Sequence, residues 1–518
     1  MARDFVGMVV GWTRRTWRRV QSADVTTKRF LALLVGWIAG IGVFAVLRYD
    51  TFQTNAFDLG IFNQAFSTTL HGRLFYETPD LQIISSGSFL GVHFNLLMFL
   101  LLPPYALVPR PETLLVIQSL FIGLGAVPVW LISIHVLHDR RMALLLAAAY
   151  LFNPGTLSLS FYDFHLEAFL PFFLGMTFYS YLVKRWRSYA LYLVLSLITL
   201  EFAAILIGAM SLAHLVRDMR SRRSSERGGS WFGIDADLEP MQLRVLVGTL
   251  VLSPVVLFAE LTASGYLSGG AATAVSIASG FMNLGAYGNA RFDLLADFWL
   301  VLFGVLLFLP VLSPRNLVTV APWLVLTFLP APTPWYLIGY QYGGAFAAPF
   351  LIWGAVFALR RLPASIVMRR ILPAVLLVSV LAGPLNPVLQ GVQPGIAYEQ
   401  GFPIPTVHTE IIHWALGFIP SGASVLAQNN LFPQVSNRDN AYVYLPSNQT
   451  LVEFVFADIS SQWYTAKIRG NQSMSYWLPY FLSLGGYGIV VFTDGVVVLE
   501  KGYTGPPAQF AATDAGAA

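Results

Sequence analysis

Apolar runs, several of them long enough to cross a lipid bilayer, recur along most of this chain. They lie at about 30–47, 112–137, 142–160, 168–183, 188–216, 245–262, 297–313, 317–331, 343–359 and 371–390. A helix rising about 1.5 Å per residue needs about 20 apolar residues to cross a hydrocarbon core of about 30 Å. This repeat leaves few folding options. Within lipid every backbone N–H and C=O must be satisfied inside the protein, and a helix does this segment by segment. Charged residues make up 11% of the 518, against about 25% in a soluble protein. The prediction is an α-helical polytopic membrane protein of about nine to eleven spans.

The placement of charge sets the topology. The net charge of +4 does not point to nucleic acid, because the basic residues sit in short loops between apolar runs, as positive-inside topology requires. A basic head, 1–29, precedes the first span, and a long polar loop, 48–92, follows it. Residues 93–108 carry Pro103-Pro104 and are short for a full crossing. If they only half-insert, the cytoplasmic side holds seven Lys/Arg in the head, Arg140–Arg141 and three at 184–187. It also holds six between 217 and 244, Arg315 and four at 360–370, making 23 of 31. That choice puts the N-terminus in the cytoplasm and the C-terminus outside, in a multi-pass plasma-membrane protein. The run 188–216 reads as two half-helices meeting near Glu201, both ending inside.

The chain changes character at about 393. Residues 393–505 contain strand-like segments, including a hairpin signal at Asp494-Gly495, and predict a small outer α/β domain. It carries the sequons Asn448-Gln-Thr and Asn471-Gln-Ser, while 506–518 reads as a disordered tail. Residues 30–392 form the transmembrane domain.

Cysteine is absent, which excludes disulfides, thiolate metal sites and a Cys nucleophile. No phosphate-binding glycine loop, HExxH or triad signature occurs. Ionisable residues instead gather on the outer side, where burial near lipid marks a residue as functional by default. Asp58 lies among apolar neighbours in Asn55-Ala-Phe-Asp-Leu-Gly-Ile-Phe-Asn-Gln64. It is either a helix N-cap or a reactive carboxylate. His93 opens the half-inserted segment. Asp163, His165 and Glu167 alternate just after a span, as a polar helix cap or as hard ligands for Mg²⁺, Mn²⁺ or Zn²⁺. Glu201 is either a structural hydrogen-bonding group or part of the site. Arg291 and Trp335-Tyr-Leu-Ile-Gly-Tyr340-Gln341-Tyr342 follow on later outer loops.

Several of these pieces carry a family resemblance. The Asn55–Gln64 block, Leu70-His71-Gly72, Leu90-Gly-Val-His93-Phe, Leu102-Pro103-Pro104-Tyr105, Tyr162–Glu167, Leu200-Glu201-Phe-Ala-Ala and Ile419–Ala427 resemble an archaeal and bacterial membrane family catalogued as domain of unknown function 2079. That family is similar to the GT-C glycosyltransferases, multi-span enzymes that take a sugar from a polyprenyl- or dolichyl-phosphate carrier on the outer face.

The resemblance implies a GT-C-like fold and inverting transfer, with Asp58 as catalytic base and Glu201 and His93 beside it. Asp163, His165 and Glu167 would hold Mg²⁺ or Mn²⁺. Gln64, Arg291, Tyr340, Gln341 and Tyr342 would bind substrate. Gln341 stands where a cationic partner for the carrier phosphate is expected, which makes Arg291 the substitute. The implied partners are membrane lipids, the lipid-phosphate-linked sugar, and a glycan, lipid or protein acceptor. Two other readings stay open: a transporter or flippase built on broken helices, and a non-catalytic envelope protein.

Overall fold

The computed structural model describes residues 21–81, 84, 86–225, 239–269, 291–329, 332–447, 450–467 and 472–511. The head up to residue 20, both sequon asparagines and the last seven residues lie outside the described residues, as do the side chains of the Arg217–Arg227 cluster.

The first helix, α1 (Val25–Asp50), starts where the Asp24 carboxylate accepts the Thr26 and Thr27 N–H groups, a cap for donors that have no partner inside the helix. The first outer segment holds α2 (Ile61–Leu70) and α3 (Leu97–Leu107). Then come α4 (Pro111–Leu137), α5 (Arg140–Leu151), α6 (Pro154–Phe161), α7 (Leu170–Leu182), α8 (Trp186–Leu197), α9 (Glu201–Ser225) and α10 (Pro240–Leu267). Beyond the undescribed 270–290 follow α11 (Phe292–Gly304), α12 (Pro314–Phe328), α13 (Ala348–Leu359) and α14 (Ala364–Leu381).

Among the described residues, four helices are long and apolar enough to cross a membrane: α1, α4, α10 and α14. The count is five if α5 and α6, bent by 47° at their junction, form one span. Part of the expected nine to eleven is therefore met on length and composition. Shorter apolar helices, α7, α9 and α13 among them, occupy other predicted runs. The α5–α6 bend has a local cause. Pro154 cannot donate to the preceding turn, and Asn153 caps the new helix through the Gly155 N–H.

Two sequence-predicted irregularities are present. The run 188–216 breaks at 198–200, and Glu201 opens α9. Helix α3 has 11 residues with Pro103 and Pro104 inside it; at about 1.5 Å each it rises only about 16 Å. The ion pairs between loops fix the parity. Arg140 pairs with Asp24, so the start of α1 and the start of α5 share one end of the bundle. That is the arrangement in which 93–108 does not cross. Lys184 reaches Glu239 at 2.5 Å, joining the end of α7 to the start of α10.

At the opposite end sits the C-terminal α/β unit. Strands β1 (Val425–Ala427), β2 (Ala441–Tyr442), β3 (Phe454–Asp458), β4 (Tyr487–Thr493) and β5 (Val496–Lys501) form a five-stranded sheet in the order β2-β1-β3-β5-β4. β1 is parallel to β2 and β3, and β5 is antiparallel to β3 and β4. Asp494 and Gly495 both take positive φ, 50° and 81°, as the predicted two-residue hairpin requires.

Side chains alternate between two cores. Val425, Phe454, Phe456 and Val498 pack toward α15 (Val407–Leu416), while Leu426, Val455, Val497 and Leu499 pack toward α16 (Met474–Ser483). Phe52 and Ala56 from the first outer loop belong to the first of these cores, so the domain is seated on that loop.

The tail departs from expectation. Predicted to be disordered from 506, it is ordered as far as Phe510, because Ala508 donates to the Val490 carbonyl at 2.7 Å and Phe510 lies edge-on to Trp414.

Candidate active site at the domain-bearing end of the bundle

The turn after α6 is built around an amide in a membrane helix. Gln118, fully buried in α4, donates from Nε2 to the carbonyls of Tyr162 and Asp163, at 3.2 and 3.1 Å. Its Oε1 accepts the His165 N–H at 2.7 Å. One side chain thereby satisfies three backbone groups of an irregular segment. Unpaired at this depth, each would cost several kcal/mol on the order of a lost hydrogen bond to water.

Locked in this way, the turn aims Asp163 and His165 in different directions. Asp163 Oδ2 accepts the Asn55 N–H at 2.6 Å, and Oδ1 lies 3.3 Å from the Arg48 guanidinium. Arg48 is almost fully enclosed. It also donates to the Phe161 carbonyl, to the Gln53 carbonyl at 2.6 Å and to Gln400 Oε1 at 2.8 Å. His165 Nε2 reaches Asp58 Oδ1 at 3.1 Å, with Nδ1 3.1 Å from the Asp163 carbonyl. The Asp58 and His165 side chains are 15% and 12% exposed, enclosed yet reachable.

Asp58 sits inside a π-helical turn, Ala56–Gly60, that leads into α2; the extended residue before that turn is Asn55. The N-cap reading of Asp58 therefore does not apply. Such one-turn irregularities recur at functional sites.

The charges are coupled. Burial works against protonating His165, but its hydrogen bond to Asp58 and the charges of Glu167 and Asp58 outweigh burial, and the imidazole is pushed up to about 9. It is an imidazolium at neutral pH, so Nε2 donates. Burial pushes the Asp163 carboxyl above the ordinary carboxylate range, Arg48 opposes this, and Asp58 adds to it.

A second carboxylate–imidazole pair lies beside the first. Glu201 Oε2 is 3.2 Å from His93 Nδ1, and its Oε1 accepts the Phe94 N–H at 3.1 Å. The Leu97 N–H donates to the Ile198 carbonyl at 2.9 Å. The start of α3 thus fills the α8–α9 break and satisfies backbone that the break would leave open. Burial lowers the affinity of His93 for a proton, but Glu201 more than offsets it, so His93 lies above its ordinary range. Glu167 is within electrostatic reach of both His93 and His165, linking the pairs.

Tyr162, Tyr340 and Tyr342 lie within electrostatic reach of Asp58. The Tyr162 and Tyr340 rings are 5.4 Å apart, while Tyr342 stacks on Trp323 and lies tilted against Trp335. Gln341 is buried, and its Oε1 has no hydrogen-bond partner among the described residues.

Three expectations are redirected. Arg291 is exposed and turned onto Asp293, at 3.0 and 2.7 Å; the arginine that reaches the buried carboxylates is Arg48. Gln64 is fully buried. It clasps the Thr78 N–H with Oε1, and with Nε2 the carbonyls of Arg438 and Ala441, fastening the first loop to the outer domain. Among the described residues no three His, Asp or Glu side chains are arranged to hold a metal. Arg48 and the Asn55 N–H occupy the Asp163 carboxylate, and His165 spends Nε2 on Asp58. The expected Asp163–His165–Glu167 set does not fit a divalent cation.

These features define a multi-helix membrane protein with a buried carboxylate–imidazole site under a small α/β domain. The chain belongs to the family described as predicted membrane protein (DUF2079), which matches residues 48–498. Among curated proteins, none matches it.

Proposed function

We propose that this protein is an inverting membrane glycosyltransferase of GT-C-like architecture, with nine to eleven spans and its site on the outer face of the plasma membrane. The observation that carries the reading is the contact between Asp58 and His165 at the end of the bundle that bears the outer domain. The sugar would come from a polyprenyl- or dolichyl-phosphate carrier.

In the reaction, the acceptor hydroxyl oxygen attacks the anomeric carbon from the face opposite the carrier. The new C–O bond forms, the bond to the phosphate oxygen breaks, and the carrier leaves as the lipid phosphate. Asp58 takes the hydroxyl proton, a general-base contribution worth roughly 10²–10⁴-fold. His165, 3.1 Å from Asp58 through Nε2, fixes the orientation of that carboxylate. Arg48, Asn55 and Gln118 position the turn that carries His165. The carrier's tail would approach along the half-inserted α3, where Phe99, Leu100 and Leu107 are exposed.

The test is turnover of a radiolabelled polyprenyl-phosphate sugar by purified protein in detergent, where no second compartment exists and transport has no meaning. Release of the lipid phosphate is expected, with Asp58→Asn lowering the rate by roughly 10²–10⁴-fold. An Asp58→Asn protein as active as the parent would sink the assignment.

A further inference from the structure

A cleft of about 380 Å³ opens between the first outer loop and the outer domain. It is within the range of small-molecule sites, about 300–1,000 Å³. Thr51, Phe52 and Gln53 form one wall, and Glu399 and Gln400 from the connecting segment form another. The outer domain closes it with His408, Asn430, Asp458 and the Ser460–Trp463 turn.

Charge rules out one ligand class. Among the described residues no Lys or Arg lines the cavity. The one basic group among the described lining residues, His408, is held between two carboxylates, Asp458 at 3.0 Å and Asp494 at 2.8 Å, while Glu399 adds a further negative charge. A phosphate or other anion would meet net negative potential here, so the carrier phosphate does not belong in this cavity.

The remaining lining is rich in groups that both give and take hydrogen bonds. Carboxamides come from Gln53, Gln400, Asn430 and Gln462, and hydroxyls from Thr51, Thr409, Ser460 and Ser461. Trp463 supplies an aromatic ring. A neutral polyhydroxylated ligand answers each feature. Its hydroxyls pair with amides and carboxylates, and its C–H face packs on the electron-rich indole face.

The cavity also touches the site already described. Arg48, the partner of Asp163, donates to the Gln53 carbonyl and to Gln400 Oε1, and both residues line the cavity wall. We infer that the cavity between the first outer loop and the outer domain binds a neutral saccharide, which serves as the acceptor end of the reaction. The acceptor role rests on the transferase reading; saccharide binding does not.

The experiment separates the two. Saturation-transfer NMR on the full-length protein in detergent is run with neutral tri- and tetrasaccharides. Inorganic phosphate and glucuronic acid serve as anionic comparisons, and no donor is added. A neutral saccharide is expected to bind better than either anion. Trp463→Ala and Gln462→Ala, changes at side chains that reach solvent, should each weaken it, the former by roughly tenfold. Absence of neutral-saccharide binding, stronger binding of an anion, or unchanged binding in both cavity variants overturns the inference. If saccharide binding survives but no Asp58-dependent turnover is found, the transferase reading fails and the saccharide site stands.

Discussion

The two ends of the helix bundle use the same kinds of charged residue for opposite purposes. At the end where α1 begins, Arg140–Asp24 and Lys184–Glu239 tie loops together with side chains 55%/40% and 45%/56% exposed. At the other end, Arg48–Asp163 is 4%/1% exposed. The exposed pairs exchange water for each other at little net gain. The buried pair has lost its water altogether and needs a full set of replacement contacts, which Phe161, Gln53, Gln400 and Asn55 supply. An apolar pair of similar volume is often as stable as a buried ion pair. Its presence beside Asp58 and His165 therefore points to the site's chemistry and not to holding the bundle together.

The contrast is open to direct challenge. The largest expected effect is that of Arg48→Met, which leaves Asp163 buried and uncompensated and should destabilise the protein by about 3–5 kcal/mol, read as a lowered thermal midpoint in detergent. A loss no larger than that of an exposed pair would erase the distinction between the ends. Next is Glu201→Gln. It can keep the hydrogen bond from the Phe94 N–H but removes the charge facing His93, at about 1.5–3 kcal/mol for a charge-assisted bond. Hydrogen exchange at the α8–α9 break should rise in step.

A pH titration sharpens the comparison further. His165 binds its proton more tightly folded than unfolded, so its contribution is fully present below about 6.5 and is lost as pH rises through about 9. Stability, read through the thermal midpoint, should therefore fall across that window by on the order of 1–3 kcal/mol, and the step should vanish in His165→Gln. Should the step persist in that variant, another group would be responsible. The smallest effect is expected for Arg140→Ala, within about 1 kcal/mol by the same thermal measurement.

Much of the site was legible because membrane chemistry makes polar residues conspicuous. Asp58, Asp163 and His165 were identifiable as ionisable groups among apolar neighbours, and the structure brings them together. Glu201 and His93 were singled out separately and meet each other directly.

Arg48 was harder to find. At the last turn of a span a basic residue ordinarily reads as a loop flank, and only the fold shows it turned inward. Gln118 left a usable signal, a lone amide in the apolar run 112–137, whose cost in lipid implies a partner. Arg291 and Gln64 show the converse. Each is chemically suited to bind substrate, but one is spent on its neighbour Asp293 and the other on the carbonyls of the outer domain.

The sequence by itself determined the membrane class, the broken run at Glu201, the short proline-bearing α3 and the Asp-Gly hairpin. Each follows from local rules: the apolar length needed to cross lipid, proline's missing donor, and the positive φ that a tight hairpin requires. Tertiary structure alone decided which carboxylate meets which cation. It paired residues 115 positions apart, Arg48 with Asp163, and 108 apart, His93 with Glu201. It also brought the outer domain down onto the first loop to enclose a cavity between them. Such pairings depend on where whole helices end relative to one another. Helix packing sets those positions, and no spacing along the chain records them.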